Sequence, residues 1–122
     1  MADSSDFAIL AGSHVPVRAF KAGEFIFREG DSGVDLFVVQ SGQVELRLRN
    51  RLLETLGENG IFGEMALIDS QPRSADAVAV TDASVVPVSE KQFLFLVSHT
   101  PFFALKVMRV MAARLRVTNK QI

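Results

Sequence analysis

The spacing of apolar residues follows one rule up to about residue 88 and another after it. Between residues 15 and 89, short runs of valine, phenylalanine, isoleucine and leucine alternate with turns that contain glycine, a pattern typical of strands. Residues 43–49 are the clearest case, because Val44, Leu46 and Leu48 alternate with charged residues. This period of two predicts a strand with one buried face. Further strands are predicted over residues 17–20, 24–28, 35–40, 51–56, 77–80 and 84–88.

The strands predict a closed or two-layered β architecture. Turn signals recur about every 8–12 residues, as in sandwiches and barrels such as the jelly roll. Pro87 lacks a backbone donor, so we expect it at an edge or at the end of its strand. The fold class predicted is therefore mainly β, a β-roll or jelly-roll barrel followed by C-terminal helices.

The last third of the chain has a helical period. Ser89 followed by Gln92 forms the pattern of a capping box. Thr100 before Pro101 marks a second helix start. We expect one domain over residues 1–122, with the β-roll at about 15–88 and the helices at about 89–119, and a short helix at residues 7–10. The apolar stripe predicted for the last helix comprises Leu105, Met108, Met111, Ala112 and Leu115.

Composition narrows the function classes. The 122 residues are 48% hydrophobic and 22% charged, with a net charge of −1 and no cysteine. This is globular composition without the excess of basic residues expected of a nucleic-acid surface, and disulfides, thiolate nucleophiles and cysteine-based zinc sites are excluded. No apolar run approaches the roughly 20 residues that span a bilayer, and residues 1–6 lack the basic start of a secretory signal. We therefore expect a cytoplasmic protein without a membrane span.

Residues 60–75 hold the candidate chemistry. Gly63 precedes a helix-compatible segment, and a glycine lets backbone approach a ligand closely. Glu64 and Arg73 follow, the latter beside the hydroxyl of Ser74. Arginine suits phosphate oxygens, and a carboxylate accepts hydrogen bonds from sugar hydroxyls. The alternative is a surface loop in which Glu64 and Arg73 only pair with each other. Other glycines, at positions 30, 33, 42 and 60, are interpreted as turn residues.

The same stretch resembles a known ligand-binding motif. The sequence FGEMAL, from Phe62 to Leu67, followed by PRSA, from Pro72 to Ala75, is similar to the phosphate-binding cassette of the cyclic nucleotide-binding domain family. The resemblance extends over roughly residues 15–118. The chain looks like the effector domain of the catabolite-activator-like members, without their DNA-binding domain.

The resemblance implies a role for each cassette residue. Arg73 would pair with the cyclic phosphate, Ser74 and backbone N–H groups near Gly63 and Ala75 would add hydrogen bonds, and Glu64 would accept from the ribose 2′-hydroxyl. The base would lie on Leu46 and Leu56. The full expected ligand-binding set is Gly63, Glu64, Met65, Ala66, Arg73, Ser74, Ala75, Leu46 and Leu56.

The expected function is a non-catalytic sensor of a cyclic mononucleotide. Ser74 resembles the bacterial cyclic-AMP regulators, so cAMP is favoured over cGMP. Leu67 and residues 101–117 would shift together and report occupancy to an unknown protein partner. No catalytic residue, metal, further cofactor or direct nucleic-acid contact is expected. A β-roll interaction or structural module that binds no nucleotide is the alternative, and an enzyme is a more distant one.

The last helix also carries four basic residues, which we interpret as a solvated face: Arg109, Arg114, Arg116 and Lys120. A docking face is the alternative.

Overall fold

Within the part of the chain that the structure describes, the fold consists of two four-stranded sheets and three helices. The computed structural model describes residues 16–120, so the predicted helix at residues 7–10 lies outside the described part. One sheet has the order β1-β8-β3-β6 and the other β2-β7-β4-β5, with antiparallel pairs throughout. The strands are β1 Arg18–Phe20, β2 Phe25–Phe27, β3 Leu36–Ser41, β4 Val44–Leu48, β5 Arg51–Leu56, β6 Ile61–Phe62, β7 Asp76–Ala79 and β8 Ala83–Val88; the helices are α1 Glu64–Asp69, α2 Glu90–His99 and α3 Phe102–Lys120. The predicted jelly-roll-like fold with C-terminal helices is confirmed.

Strand β3 separates two apolar cores. Its Phe37 and Val39 point into the space between the sheets, whereas Leu36 and Val38 point out toward the helices. Both faces are buried, which explains why this strand is a continuous apolar run rather than an alternating one. The outer core is where Phe103 and Val107 attach helix α3 to the roll.

Strand β6 is not predicted from the sequence because it has two residues and no period of its own. Ile61 and Phe62 form a strand only because they pair with Val38 and Phe37 of β3. Pro87 is the penultimate residue of β8, where β1 has already ended. The strand end is therefore the part of the expectation that holds, since β8 itself lies inside the sheet.

The helix starts agree closely with the prediction. Ser89 accepts a hydrogen bond from the backbone N–H of Gln92, and the Gln92 side chain accepts from the backbone of Ser89, so the capping box is confirmed. Helix α3 begins one residue after Pro101. Among residues 16–120, no single helix is long and apolar enough to cross a membrane; α2 and α3 meet that test only as a pair, bent by 119° at their break.

The predicted apolar stripe of α3 is wrong for most of its members. Met108 is 56% exposed and Leu115 61% exposed. Phe103 and Val107 are buried, and Val110 and Met111 pack partly against them. Of the predicted stripe, only Met111 contacts the core. The helix is rotated because its inward face must meet β3 and β8, a choice that the helical period leaves open.

Candidate functional site

Gly63 places the start of α1 against the site. Its φ of +78° lies in the left-handed region, which favours glycine, and it is the residue before the first turn of α1. A Cβ at this position would lie 2.9 Å from Nη1 of Arg73 and 3.3 Å from the carbonyl oxygen of Asp35. Both conformation and space therefore require glycine here.

Arg73 is a buried cation on the wall of a cavity. It is only 6% exposed. Its Nη1 donates to the carbonyl of Gly63 at 3.1 Å, while its Nε is buried and has no hydrogen-bond partner among the described residues. Its guanidinium lies 4.4 Å from the ring centre of Phe27 and 5.4 Å from that of Phe37, within the range of cation–π attraction.

Burial dominates the electrostatics of Arg73. It lowers the pKa of Arg73 below the usual arginine value, an effect that the negative charges of Asp35 and Asp31 partly offset. The backbone of Arg73 is fixed as well, because it bonds to Asp31 and to Gly30 in the loop between β2 and β3. The site thus presents a held positive charge with an unused donor.

Gly33 provides the space that Arg73 occupies. A Cβ at position 33 would lie 2.5 Å from Nη2 of Arg73. The φ of Gly33 is not in the left-handed region, so close approach rather than backbone conformation accounts for the glycine. The interpretation of Gly33 as a turn residue does not include this role, since nothing in the local sequence points across 40 positions to Arg73.

Glu64 pairs with helix α3 and not with Arg73. Its residue is 4% exposed, and its Oε1 accepts from Nη1 of Arg114 at 2.6 Å. Within residues 16–120 no ion pair joins Glu64 to Arg73. The alternative in which those two residues only neutralise each other is therefore wrong.

Arg114 is a residue of the candidate site that the sequence interpretation missed. The sequence places it on a solvated basic face, yet its side chain points inward and also bonds to Glu54 and to the carbonyl of Ile61. Burial alone would lower its pKa, but the hydrogen bonds and charges of Glu54 and Glu64 outweigh burial and raise the pKa above the usual arginine value. Arg114 follows Val107 by seven residues and Val110 by four, so it lies on the same, buried face of α3. This spacing is the feature of the sequence that indicates an inward-pointing Arg114.

Gly63, Glu64, Arg73 and Arg114 all line one cavity of about 850 Å³. Leu46 lines it together with the predicted cassette residues, and Leu52, Leu53 and Glu54 of β5 complete that wall. Helix α3 forms the opposite wall with residues 110–115 and 117. The lining residues predicted from sequence are Gly63, Glu64, Met65, Ala66, Arg73, Ser74, Ala75 and Leu46.

Leu56 is the predicted site residue that the structure does not bring to this cavity. Its side chain is buried in the core between the sheets, where it is paired with Val44 of β4. It borders a smaller depression of about 370 Å³, which Arg114 also lines. Leu52 and Leu53, nearer the start of β5, supply the apolar surface that the sequence assigns to Leu56.

Comparison with known proteins gives the family. The model of the cyclic nucleotide-binding domain matches residues 17–100. The chain belongs to the cyclic nucleotide-binding domain family. It is 36% identical over 118 residues to the cyclic AMP receptor protein of Thermus thermophilus, covering 93% of this chain and 55% of that protein. A cGMP-dependent protein kinase of Toxoplasma gondii is 38% identical over 68 residues, which cover 52% of this chain and 7% of the kinase.

The fold agrees with this family. The crystal structure of the Thermus thermophilus catabolite activator protein matches with a TM-score of 0.81 and 34% identity, covering 98% of this chain and 58% of that one. The chain spans about half the length of the first curated relatives that it matches.

Within residues 16–120, no group of three histidine, aspartate or glutamate side chains could hold a metal ion.

Proposed function

We propose that this domain is a non-catalytic sensor that binds a cyclic mononucleotide, with cAMP as its preferred ligand. The observation that supports this most directly is Arg73, a buried cation whose Nε has no hydrogen-bond partner among the described residues. A buried charge of this kind is costly unless it is paired. A cyclic phosphate in the cavity would supply both the countercharge and the missing acceptor.

The rest of the cavity suits the rest of such a ligand. Glu64 would accept from the ribose 2′-hydroxyl with a carboxylate that α1 and Arg114 hold in place. Ser74 and backbone N–H groups near Gly63 and Ala75 would add hydrogen bonds to the phosphate. Leu46, Leu52 and Leu53 offer an apolar wall for the base. Met65 and Ala66 also line the cavity and would lie beside the sugar.

Arg114 would carry the signal. It joins Glu64, the residue proposed to bind ribose, to helix α3, so a ligand that repositions Glu64 changes the environment of the helix. The effect is bounded by the difference in ligand affinity between the two arrangements of α3. The helix would then report occupancy to a protein partner.

The preference for cAMP rests on two observations. The relative that aligns over 93% of this chain is named a cyclic AMP receptor protein, whereas the cGMP-dependent kinase aligns over 52%. Ser74, next to Arg73, resembles the serine that the bacterial cyclic-AMP regulators carry at this position of the cassette. Tenfold selectivity corresponds to about 1.4 kcal/mol, roughly one hydrogen bond, so a direct competition is the appropriate test. The cytoplasmic location and the absence of a metal stay predictions.

Calorimetric titration with cAMP and, separately, with cGMP tests this function. We expect binding of both, with cAMP tighter, and a loss of at least about a hundredfold in Arg73→Ala, equivalent to about 2.7 kcal/mol. Arg47→Ala is the matched control, because Arg47 pairs with Glu45 outside the cavity.

Tighter binding of cGMP would reverse the preference. If the folded wild-type chain binds neither nucleotide, the interaction-module alternative becomes the better interpretation. Recovery of unchanged nucleotide after incubation would support the non-catalytic assignment.

A further inference from the structure

We propose that Glu54 is a positioning residue for the ribose end of this site. It holds Arg114 in the orientation that directs Nη1 at Glu64, and thereby sets the discrimination between a ribose and a deoxyribose ligand. The inference rests on the proposed function and deepens it, because it assigns ribose selectivity to a side chain outside the cassette.

The geometry around Arg114 is the basis. Each of its three guanidinium nitrogens has a different fixed partner: Nε donates to Oε1 of Glu54 at 2.9 Å, Nη1 to Oε1 of Glu64 at 2.6 Å, and Nη2 to the carbonyl of Ile61 at 2.7 Å. The partners belong to β5, α1 and β6, three separate elements. A planar guanidinium held along all three directions cannot rotate without breaking a charge-assisted hydrogen bond.

Glu54 and Glu64 are not equivalent partners. Glu64 is the buried carboxylate, with a side chain 5% exposed, and Glu54 has a side chain 38% exposed. Arg114 binds one oxygen of Glu64 and so biases the carboxylate toward one rotamer. The bond from Glu54 to Nε restricts the rotamers of Arg114, and without it the arginine side chain would regain rotamer freedom. The effect of Glu54 on the ligand is therefore indirect, through Arg114.

A purely structural role for Glu54 would have a different consequence. A partly exposed ion pair contributes little to folding, so removal of the Glu54 charge should leave the fold intact. Glu54 also lies on the cavity wall, where its negative charge alone would oppose an anionic ligand. Positioning and simple repulsion thus predict opposite signs for the change in affinity.

The test compares cAMP with 2′-deoxy-cAMP, which lacks the hydroxyl that Glu64 would bind. In Glu54→Gln we expect affinity for cAMP to fall by about fivefold, within the range of coupling between neighbouring residues, and affinity for 2′-deoxy-cAMP to change less than about twofold. In the ligand-free state, amide exchange over residues 110–117 should become faster. Glu45→Gln is the matched control, because Glu45 is also paired with an arginine but lies in β4 outside the cavity.

The outcomes separate the inference from the function beneath it. An equal loss for the two nucleotides, or a gain for both, would overturn the positioning role while leaving the sensor intact. A loss confined to cAMP with unchanged behaviour of Glu45→Gln would establish it. If the wild-type chain binds neither nucleotide, the proposed function fails and the role of Glu54 fails with it.

Discussion

Arg114 and Glu64 lie 50 positions apart in the sequence and are joined by a 2.6 Å hydrogen bond between Nη1 and Oε1. The bond connects the last helix to the residue that opens α1. Helix α3 is therefore not only packed on the roll through Phe103 and Val107; it is also bonded to the wall of the cavity. We propose that a change at one end of this bond alters the surroundings of the other end.

Removal of this connection should uncouple α3 from the site. In the wild type we expect cAMP to change amide exchange over residues 101–117, and in Arg114→Ala we expect that change to shrink to less than half. Hydrogen exchange with mass spectrometry is the measurement. Arg116→Ala, an exposed arginine on the same helix, should behave as the wild type does. Equal responses of Arg114→Ala and the wild type would disprove a relay through this bond.

Gly33 offers a test of how closely Arg73 must be held. A methyl group at position 33 would collide with Nη2 of Arg73 at 2.5 Å, and the guanidinium would have to move. We expect Gly33→Ala to weaken cAMP binding by about tenfold, the equivalent of about 1.4 kcal/mol, measured by calorimetry.

The matched control is Gly57→Ala. A methyl group at position 57 would meet no atom within 4 Å, and Gly57 does not have a positive φ, so this substitution should leave binding unchanged. If both alanine variants bind as the wild type does, the position of Arg73 tolerates displacement and Gly33 has no part in the site.

The buried charge of Arg73 should lower the free energy of unfolding of the ligand-free domain. Replacement of a buried, incompletely paired charge by an apolar side chain of similar length is often neutral or stabilising. We expect Arg73→Met to raise the free energy of unfolding by about 1 kcal/mol while it abolishes nucleotide binding. Urea denaturation without ligand is the measurement, with Arg47→Met as the comparison. A loss of stability would mean that Phe27 and the Gly63 carbonyl already compensate the charge.

The attachment of α3 to the roll can be tested with two neighbouring phenylalanines. Phe103 is fully buried in the outer core, whereas Phe102 is 45% exposed. Phe103→Ala should lower the free energy of unfolding by about 3–5 kcal/mol, and Phe102→Ala by much less. Thermal and urea unfolding both report this difference. Similar losses for the two variants would contradict the orientation of α3.

Much of the fold follows from local pattern. The alternation in β4, the continuous apolar run of β3 and the capping box at Ser89 are each patterns of residue types within a few consecutive positions, so the sequence alone reveals them. Strand β6 does not, because two residues carry no period. The inward face of α3 does not either: one helix offers two apolar stripes, and packing against β3 and β8 decides which is buried.

The sequence by itself determined the jelly-roll-like class with C-terminal helices, and it collected the cassette candidates Glu64, Arg73 and Ser74 within residues 60–75, because those residues are neighbours along the chain. Only the tertiary structure decided that Glu64 is paired with Arg114, that Glu54 lies beside them and that Gly33 makes room for Arg73. It also showed that Leu52 and Leu53, and not Leu56, line the apolar wall of the cavity. The physical reason is that these contacts join residues 40 to 60 positions apart, and such contacts arise from the packing of whole sheets and helices rather than from any local period.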